Sequence, residues 1–174
     1  IFKRLMAGSI LVAFVFSGCK KSASGNESIN GDAFIQFSTN NSFGGKTEFK
    51  SNSTVGGFAS RTNTGGKTQI IITAVQMDGQ QIATAMLTIY VQQNYNGAIS
   101  GRFENSNAES TQAVLAIGVT NAGTNQEEYT SATGNYNITK LTGAEIEGTF
   151  DAYCTNETNS ANISLSSGKF SGKF

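Results

Sequence analysis

The sequence of 174 residues contains no histidine, no proline and no tryptophan. Without histidine, the chain cannot build a serine–histidine or cysteine–histidine catalytic pair, or a zinc site with histidine ligands. Charged residues make up only 14% of the chain, without a basic stripe or an acidic tail, so nucleic acid is not an expected partner. We therefore predict a protein that is not an enzyme and has no catalytic, cofactor-binding or metal-ligating residues.

The apolar run at the N-terminus is too short to cross a membrane as a helix. Leu5–Phe16 contains twelve apolar or small residues, which as a helix would cover about 18 Å of a hydrocarbon core about 30 Å thick. Lys3 and Arg4 precede this run and small residues follow it, which is the order of parts in a secretory signal peptide. Because the chain opens on Ile1 rather than Met, we expect its extreme N-terminus to be missing.

The apolar run closes on Phe16-Ser17-Gly18-Cys19, which resembles a bacterial lipobox. In such motifs the signal peptidase recognises the residues before the cysteine, and the cysteine becomes the acylated first residue of the mature chain. Phe16 departs from the usual Leu, Val or Ile. The resemblance implies lipidation at Cys19, which would bring the two following lysines to the membrane headgroups. The alternative is an ordinary signal peptide followed by a free thiol.

The chain therefore divides into three predicted parts. They are a signal peptide at 1–18, a lipidated cysteine with a flexible polar tether at 19–30, and a single antiparallel β domain at 31–174. We expect the lipid anchor to lie in the bacterial outer membrane. Some surface-exported bacterial lipoproteins carry acidic residues directly after the cysteine, and Lys20 and Lys21 stand there instead, which favours the periplasmic side over the cell surface.

The β domain is rich in Thr, Ser, Asn and Gly, with short apolar or alternating runs between turn residues. This texture predicts an all-β fold, either an antiparallel β-sandwich or a partly closed barrel of about 8–10 strands. Ser106–Ala116 has helix-capping spacing, but the β-branched residues that follow favour a strand. The predicted strands are Ala33–Ser38, Lys46–Ser51, Val55–Thr62, Thr68–Met77, Ile82–Gln92, Ala98–Glu104, Gln112–Thr120, Tyr129–Leu141, Glu145–Thr155 and Ala161–Phe174.

Three dipeptides predict turns between these strands. Asp78-Gly79 and Asn96-Gly97 supply the positive φ that two-residue hairpins require. Thr142-Gly143 links two further alternating segments. We expect the strands on either side of each dipeptide to be antiparallel neighbours.

The C-terminal part resembles the small β-rich lipoproteins of Bacteroidetes whose domains have no known function. In that family a hairpin of the form ITxxxGxxIxGTFxA, here Ile138–Ala152, precedes a closing strand that ends in GxF. The resemblance implies an envelope lipoprotein with a β-sandwich or barrel and transfers no catalytic residues. In the closing strand, Ile163 and Phe170 have opposite parity, so we predict a β-bulge at Ser166-Ser167-Gly168, with glycine supplying its conformation.

Alternation along the strands also predicts the core. Cys154 shares a strand face with Ile146 and Phe150, which indicates a buried and inert thiol rather than a reactive one. Eight phenylalanines are expected as large core residues, namely Phe34, Phe37, Phe49, Phe58, Phe103, Phe150, Phe170 and Phe174.

Three patterns that suggest chemistry have simpler explanations. Gly44–Thr47 and Gly65–Thr68 both read GGKT but lack the first glycine and the helix of a phosphate loop, so we predict turns. Glu145 and Glu147 are about 6.6 Å apart if extended, which suits glycoside hydrolysis, yet their face is predicted to be solvated. Segment 120–128 is rich in oxygen ligands but matches no calcium loop.

The preferred hypothesis is a membrane-anchored envelope lipoprotein whose β domain binds a ligand or partner, or has a structural role, without catalysis. One alternative is a glycan-active enzyme, which requires two carboxylates converging in a concave pocket. Another is a lipocalin-like carrier, which requires a closed barrel around an apolar cavity. Besides the membrane, the expected partner is a glycan or a protein.

The lipobox resemblance generates the first prediction. Cells grown on labelled palmitate should incorporate the label into the wild-type chain and into Cys154→Ala, but not into Cys19→Ala, because only Cys19 receives acyl chains. Membrane fractionation should follow the label, since several acyl chains are needed for durable anchoring. An unlabelled, freely soluble wild-type chain would contradict the assignment.

Overall fold

The structure is a computed structural model and describes residues 33–52, 57–104, 113–121 and 126–174. Within these ranges the chain is all-β, as predicted, and contains no helix. The predicted anchor and the first part of Ser106–Ala116 lie outside them. The ten strands are β1 (Ala33–Phe43), β2 (Lys46–Lys50), β3 (Gly57–Thr64), β4 (Lys67–Asp78), β5 (Gln81–Gln92), β6 (Ile99–Arg102), β7 (Ala113–Asn121), β8 (Gln126–Leu141), β9 (Glu145–Thr155) and β10 (Asn162–Lys173).

All ten strands belong to one antiparallel sheet that curls into a half-barrel. The order is β2-β1-β10-β9-β8-β7-β5-β4-β3, and β6 pairs with the second half of β8 beyond β7. Small residues let β3 approach the opposite end of the sheet. A Cβ atom at Gly172 would lie 2.5 Å from the Cβ of Ala59, and one at Gly57 would lie 3.0 Å from the carbonyl oxygen of Ala33.

Arg61 ties the edge strand β3 to loops at one end of the half-barrel. Its guanidinium donates hydrogen bonds to the carbonyl oxygens of Thr142 (2.5 Å) and Tyr95 (2.9 Å). A third bond goes to the side-chain oxygen of Asn96 at 3.2 Å. Since the guanidinium carries five donors in a fixed fork, one side chain can hold two loops at once.

The turns match the sequence predictions except at one position. Both GGKT segments open on two-residue hairpin turns, whose glycines all have positive φ, between 59° and 83°. Asp78-Gly79 joins the paired strands β4 and β5, and Thr142-Gly143 joins β8 and β9. Gly44–Thr47 and Gly65–Thr68 therefore form turns, as predicted, and not phosphate-binding loops.

The hairpin predicted at Asn96-Gly97 is wrong. Both edges of β5 are already occupied, by β4 and β7, so β6 cannot pair with it. The backbone N–H of Gly97 instead donates to the carbonyl oxygen of Leu141 (2.9 Å), and β6 continues alongside β8. The dipeptide starts a crossing loop because non-local pairing, not local turn chemistry, selects the neighbour of β6.

The predicted bulge in β10 is confirmed, but the prediction that the glycine adopts its special backbone conformation is wrong. Leu165 pairs with Ala152 and Gly168 with Phe150, so three steps on β10 face two on β9. Ser167 has the positive φ, at 54°. Gly168 is needed for space, because a Cβ there would lie 2.5 Å from the carbonyl oxygen of Phe150 and 2.6 Å from its ring.

The core is organised by tripeptides of the form glycine-x-aromatic on neighbouring strands. Each ring lies against the glycine of the strand beside it: Phe150 on Gly168, Phe170 on Gly148 and Tyr136 on Gly101, where an added Cβ would overlap the ring. We call these three contacts the aromatic–glycine layer. The rings and glycines of this layer belong to four such tripeptides, Gly101-Arg102-Phe103, Gly134-Asn135-Tyr136, Gly148-Thr149-Phe150 and Gly168-Lys169-Phe170.

The rings of this layer continue into the rest of the core. Phe103 and Phe150 have centroids 6.2 Å apart, Phe37 and Phe150 6.1 Å, and Phe37 stacks on Phe49 at 4.9 Å. Edge-to-face and offset contacts of this kind add about 0.5–1.5 kcal/mol per pair beyond area burial. Phe170 completes the set of five predicted core phenylalanines that are buried.

Three of the predicted core phenylalanines are only partly buried. Phe34 and Phe58 have the parity opposite to the buried Ile35 and Ala59, so both point to the outer face of the sheet. Ala59 takes the inward position because Gly172 lies against it and leaves no room for a ring. Phe174 packs against the edge of the core.

Cys154 is fully buried on the inner face of β9, as predicted. Burial raises the pKa of its thiol to about 12. A thiol that stays protonated is a poor nucleophile, so Cys154 acts as a small apolar core residue.

The aromatic–glycine layer predicts a contrast between two glycines. Gly168→Ala should lower the free energy of unfolding by about 1–3 kcal/mol, because its new methyl overlaps Phe150 in a packed core. Gly143→Ala is the matched control, with no atom within 4 Å of the new Cβ, and should change stability by less than about 0.5 kcal/mol. Urea unfolding measures both. Equal midpoints would disprove the layer's role.

The Cys154 thiol predicts a loss of stability in alkali. The unfolded thiol ionises near pH 8.5, whereas the folded thiol ionises only near pH 12. The contribution of the protonated thiol to the free energy of unfolding is therefore complete below about pH 8.5, and it is lost as the pH rises through the folded pKa. Urea unfolding between pH 8 and 11 should show that the free energy of unfolding declines less steeply with pH for Cys154→Ala than for wild type, because the variant lacks the thiol. The buried tyrosines titrate in both proteins and account for the decline that remains. Parallel declines would contradict the assignment.

Candidate functional site

The residues assigned to anchoring are not among those the structure describes. Cys19, with Phe16, Ser17 and Gly18 before it, precedes residue 33, where the description begins. Part of segment 120–128 also lies outside, and the described residues contain no group of three acidic or cysteine side chains placed to hold a metal ion. The candidate site must therefore be sought on the surface of the half-barrel.

Glu145 and Glu147 both line a groove of about 560 Å³ where β3 approaches β1 and β10, and Phe34 and Lys173 also line it. Both carboxylates face Lys140, whose Nζ atom is 2.9 Å from Glu145 and 4.0 Å from Glu147. The hydrogen bond to Glu145 and the attraction of both carboxylates raise the pKa of Lys140. The pair therefore forms an exposed ion-pair cluster on the outer face.

A second concavity, of about 510 Å³, lies on the outer face of β6, β8, β9 and β10, directly over the aromatic–glycine layer. We call it the polar groove. Its outward-facing side chains are hydroxyls, amides, one carboxylate and one ammonium. They belong to Ser100, Asn135, Asn137, Thr149, Asp151, Ser167 and Lys169.

The shape of the polar groove follows from the strands beneath it. Gly101 and Gly168, which pair with Tyr136 and Phe150, also line the groove. The register shifts in β8 and β10 place extra residues at its sides, and such bulges bend a strand and increase its twist. The same tripeptides that fill the core thus position the outward side chains between each glycine and its aromatic residue.

Internal hydrogen bonds hold the amides of the polar groove in place. Ser100 donates to the side-chain oxygen of Asn137 at 2.8 Å. One oxygen of Asp151 accepts from both the backbone N–H and the side-chain amide of Asn135, each at 3.2 Å. A carboxylate has about four lone-pair sites and an amide has two N–H donors, so Asp151 and Asn137 keep capacity to bind a ligand.

An exposed aromatic ring stands at the end of this row of polar groups. Tyr153 follows Asp151 by two residues on the outward face of β9 and is 41% exposed. Residues at this spacing on one strand face are about 6.8 Å apart, a distance that one or two sugar rings can bridge. Tyr90 also faces outward, but on β5 in the other half of the sheet, where its hydroxyl accepts from Gln69 at 2.9 Å.

The sequence did not reveal the polar groove. Its side chains come from four strands that are joined only by pairing, and each is an ordinary polar residue in isolation. The signal that identifies it is the middle position of the glycine-x-aromatic tripeptides, which alternation places on the outer face. Three of the lining residues, Asn135, Thr149 and Lys169, occupy such positions.

No protein-family model, curated protein or solved structure matches the chain. The described residues also contain no helix of the length and apolarity that a membrane span requires. The polar groove, with its fixed amides and its carboxylate, is the candidate site of this chain.

Proposed function

We propose that the chain is a lipid-anchored envelope protein whose β domain binds a small saccharide in the polar groove without catalysing a reaction. The observation that carries the proposal is a group of polar side chains beside the exposed ring of Tyr153, in which Asn137 and Asp151 are held by internal hydrogen bonds and Lys169 adds an ammonium. Sugar hydroxyls both donate and accept, and an aromatic ring provides an apolar surface for their C–H faces. The two charged groups of the groove balance, which suits a neutral ligand.

The anchor in this proposal is the acylated Cys19, held in the bacterial outer membrane with the β domain on the periplasmic side. The sequence supports it through the apolar run Leu5–Phe16, the lipobox-like residues before the cysteine, and Lys20 and Lys21 after it. The tether 19–30 gives the domain reach away from the membrane.

Binding without catalysis is supported by the chemistry of the side chains. The chain has no histidine, and the cysteine of the β domain is buried with its pKa raised to about 12. Glu145 and Glu147, the carboxylate pair that suggested glycoside hydrolysis, are engaged with Lys140 outside the polar groove. Both carboxylates therefore already have a cationic partner on the outer face, away from the polar groove.

A carrier of apolar ligands is a weaker proposal because the interior is filled. The inward-facing side chains of the central strands β4, β5 and β7 are almost entirely buried against one another. Stacked and edge-on rings occupy the other half of the interior, with centroids between 4.9 and 6.4 Å apart. An outer groove is therefore the better location for a ligand.

Glycan-array screening of the full chain, followed by calorimetry with the best saccharide, tests the proposal. Tyr153→Ala should weaken binding about tenfold through lost stacking. Asp151→Asn should weaken it about tenfold or more, because hydrogen bonds to charged groups are the stronger ones.

Two matched variants control for general effects of the substitutions. Tyr90→Ala removes an outward tyrosine from the other half of the sheet, and Glu157→Gln neutralises an exposed carboxylate in the β9–β10 turn. Both should bind like wild type. The proposal fails if no saccharide binds, or if the control variants lose as much affinity as the groove variants.

A further inference from the structure

The outer surface of the half-barrel is divided into a charged half and an uncharged half. The charged half covers β8 to β10, where the outward side chains include Lys140, Glu145, Glu147, Asp151, Lys169 and Lys173. The other half consists of the outward positions of β3, β4, β5 and β7, and we call it the uncharged face. Its described side chains carry no charge between the ends of these strands.

Cross-strand pairing arranges the uncharged face in rows. One row runs Phe58–Thr73–Met86–Ala116, and the next runs Ser60–Ile71–Thr88–Val114. Two shorter rows of apolar residues, threonine and glycine follow toward the β4–β5 hairpin. Met77 and Ile82 end the face there, 40% and 41% exposed, as two of the three exposed large apolar side chains in the described residues.

Apart from Thr73, which is buried, the described outward positions of this face are partly or fully exposed, and their composition is unusual for a sheet face in contact with water. Half-exposed antiparallel sheets generally alternate apolar residues on the inside with polar and charged residues on the outside. In β9 that rule holds, since Glu145, Glu147 and Asp151 alternate with buried residues. In β4 and β5 the outward positions carry Ile71, Val75, Ile82 and Met86 instead. The largest apolar patch on a monomer is often functional, so we take this face as a candidate interaction surface.

The size and charge of the uncharged face fit a second copy of the same chain. Strands about 4.8 Å apart and rows about 6.8 Å apart give an area of about 500 Å², so two faces would bury about 1,000 Å² in total, the lower limit for a specific interface. Two identical faces meet without opposing like charges, because neither carries any. The chain's own segment 19–30, CKKSASGNESIN, is polar or small and offers no matching apolar surface.

We propose that the protein forms a two-fold symmetric dimer in which the uncharged faces of two copies pack together. A closed, self-complementary contact of this type is the commonest form of homo-oligomer. It leaves the charged half of each copy, and with it the polar groove, turned outward on both sides of the dimer. The small contact area predicts a reversible dimer rather than an obligate one.

Sedimentation velocity of the full chain, purified as the cell produces it in a mild detergent, tests this proposal. The wild type should associate with a Kd of about 10 µM or tighter. Met86→Glu places a charge at the centre of the contact and should weaken association at least about tenfold, since an unpaired buried charge is costly. Thr149→Glu adds the same charge to the outer face of the charged half and should leave association unchanged.

Circular dichroism and urea midpoints establish that the variants fold. If Met86→Glu is unfolded, Thr88→Glu replaces it, because Thr88 is already polar and only half-buried on the same face. A wild-type chain that stays monomeric at about 100 µM, or a dimer that Met86→Glu and Thr88→Glu leave intact, overturns the proposal. Amide protection of β4 and β5 that disappears when 20–30 is deleted would assign the face to that segment and overturn it as well.

Discussion

Aromatic rings that lie against glycines of the neighbouring strand hold this half-barrel in register. Phe150 of β9 covers Gly168 of β10, and Phe170 of β10 covers Gly148 of β9, so the two strands exchange the same contact in both directions. Tyr136 and Gly101 repeat the arrangement between β8 and β6. A slip of one residue would place each ring against a side chain and turn every alternate residue to the other face. The pairing that fills the core therefore also determines which polar groups face outward.

The sequence predicted those features that depend on neighbours along the chain. Alternation and turn residues located all ten strands, and the parity change between Ile163 and Phe170 located the bulge in β10. Alternation also places Phe34 on the face opposite to Phe37, and so on the outer face. Hydrophobicity alone nevertheless favoured the interpretation of both phenylalanines as core residues. Ala59 rather than Phe58 points inward because Gly172 lies opposite, and this depends on a contact between the ends of the sheet.

Features that depend on pairing between distant segments could not be predicted. Asn96-Gly97 has the chemistry of a hairpin, yet β5 already has two partners and β6 joins β8. The polar groove has the same origin, since its lining comes from β6, β8, β9 and β10. The glycine-x-aromatic spacing is present in the sequence, but it predicts a contact only when the pairing of the strands is known. Two such tripeptides must lie antiparallel before each ring can contact the glycine of the other strand.

The four glycine-x-aromatic tripeptides separate the residues that build the domain from those that a ligand would meet. In the three ring–glycine contacts the glycine and the ring constrain each other, whereas the middle residues Arg102, Asn135, Thr149 and Lys169 point away from the core. Mutations at these positions leave packing untouched, so natural variation can accumulate there at little cost to folding. A combinatorial library restricted to these codons would accordingly retain a high fraction of folded members, which makes the domain a scaffold for selecting new binding specificities.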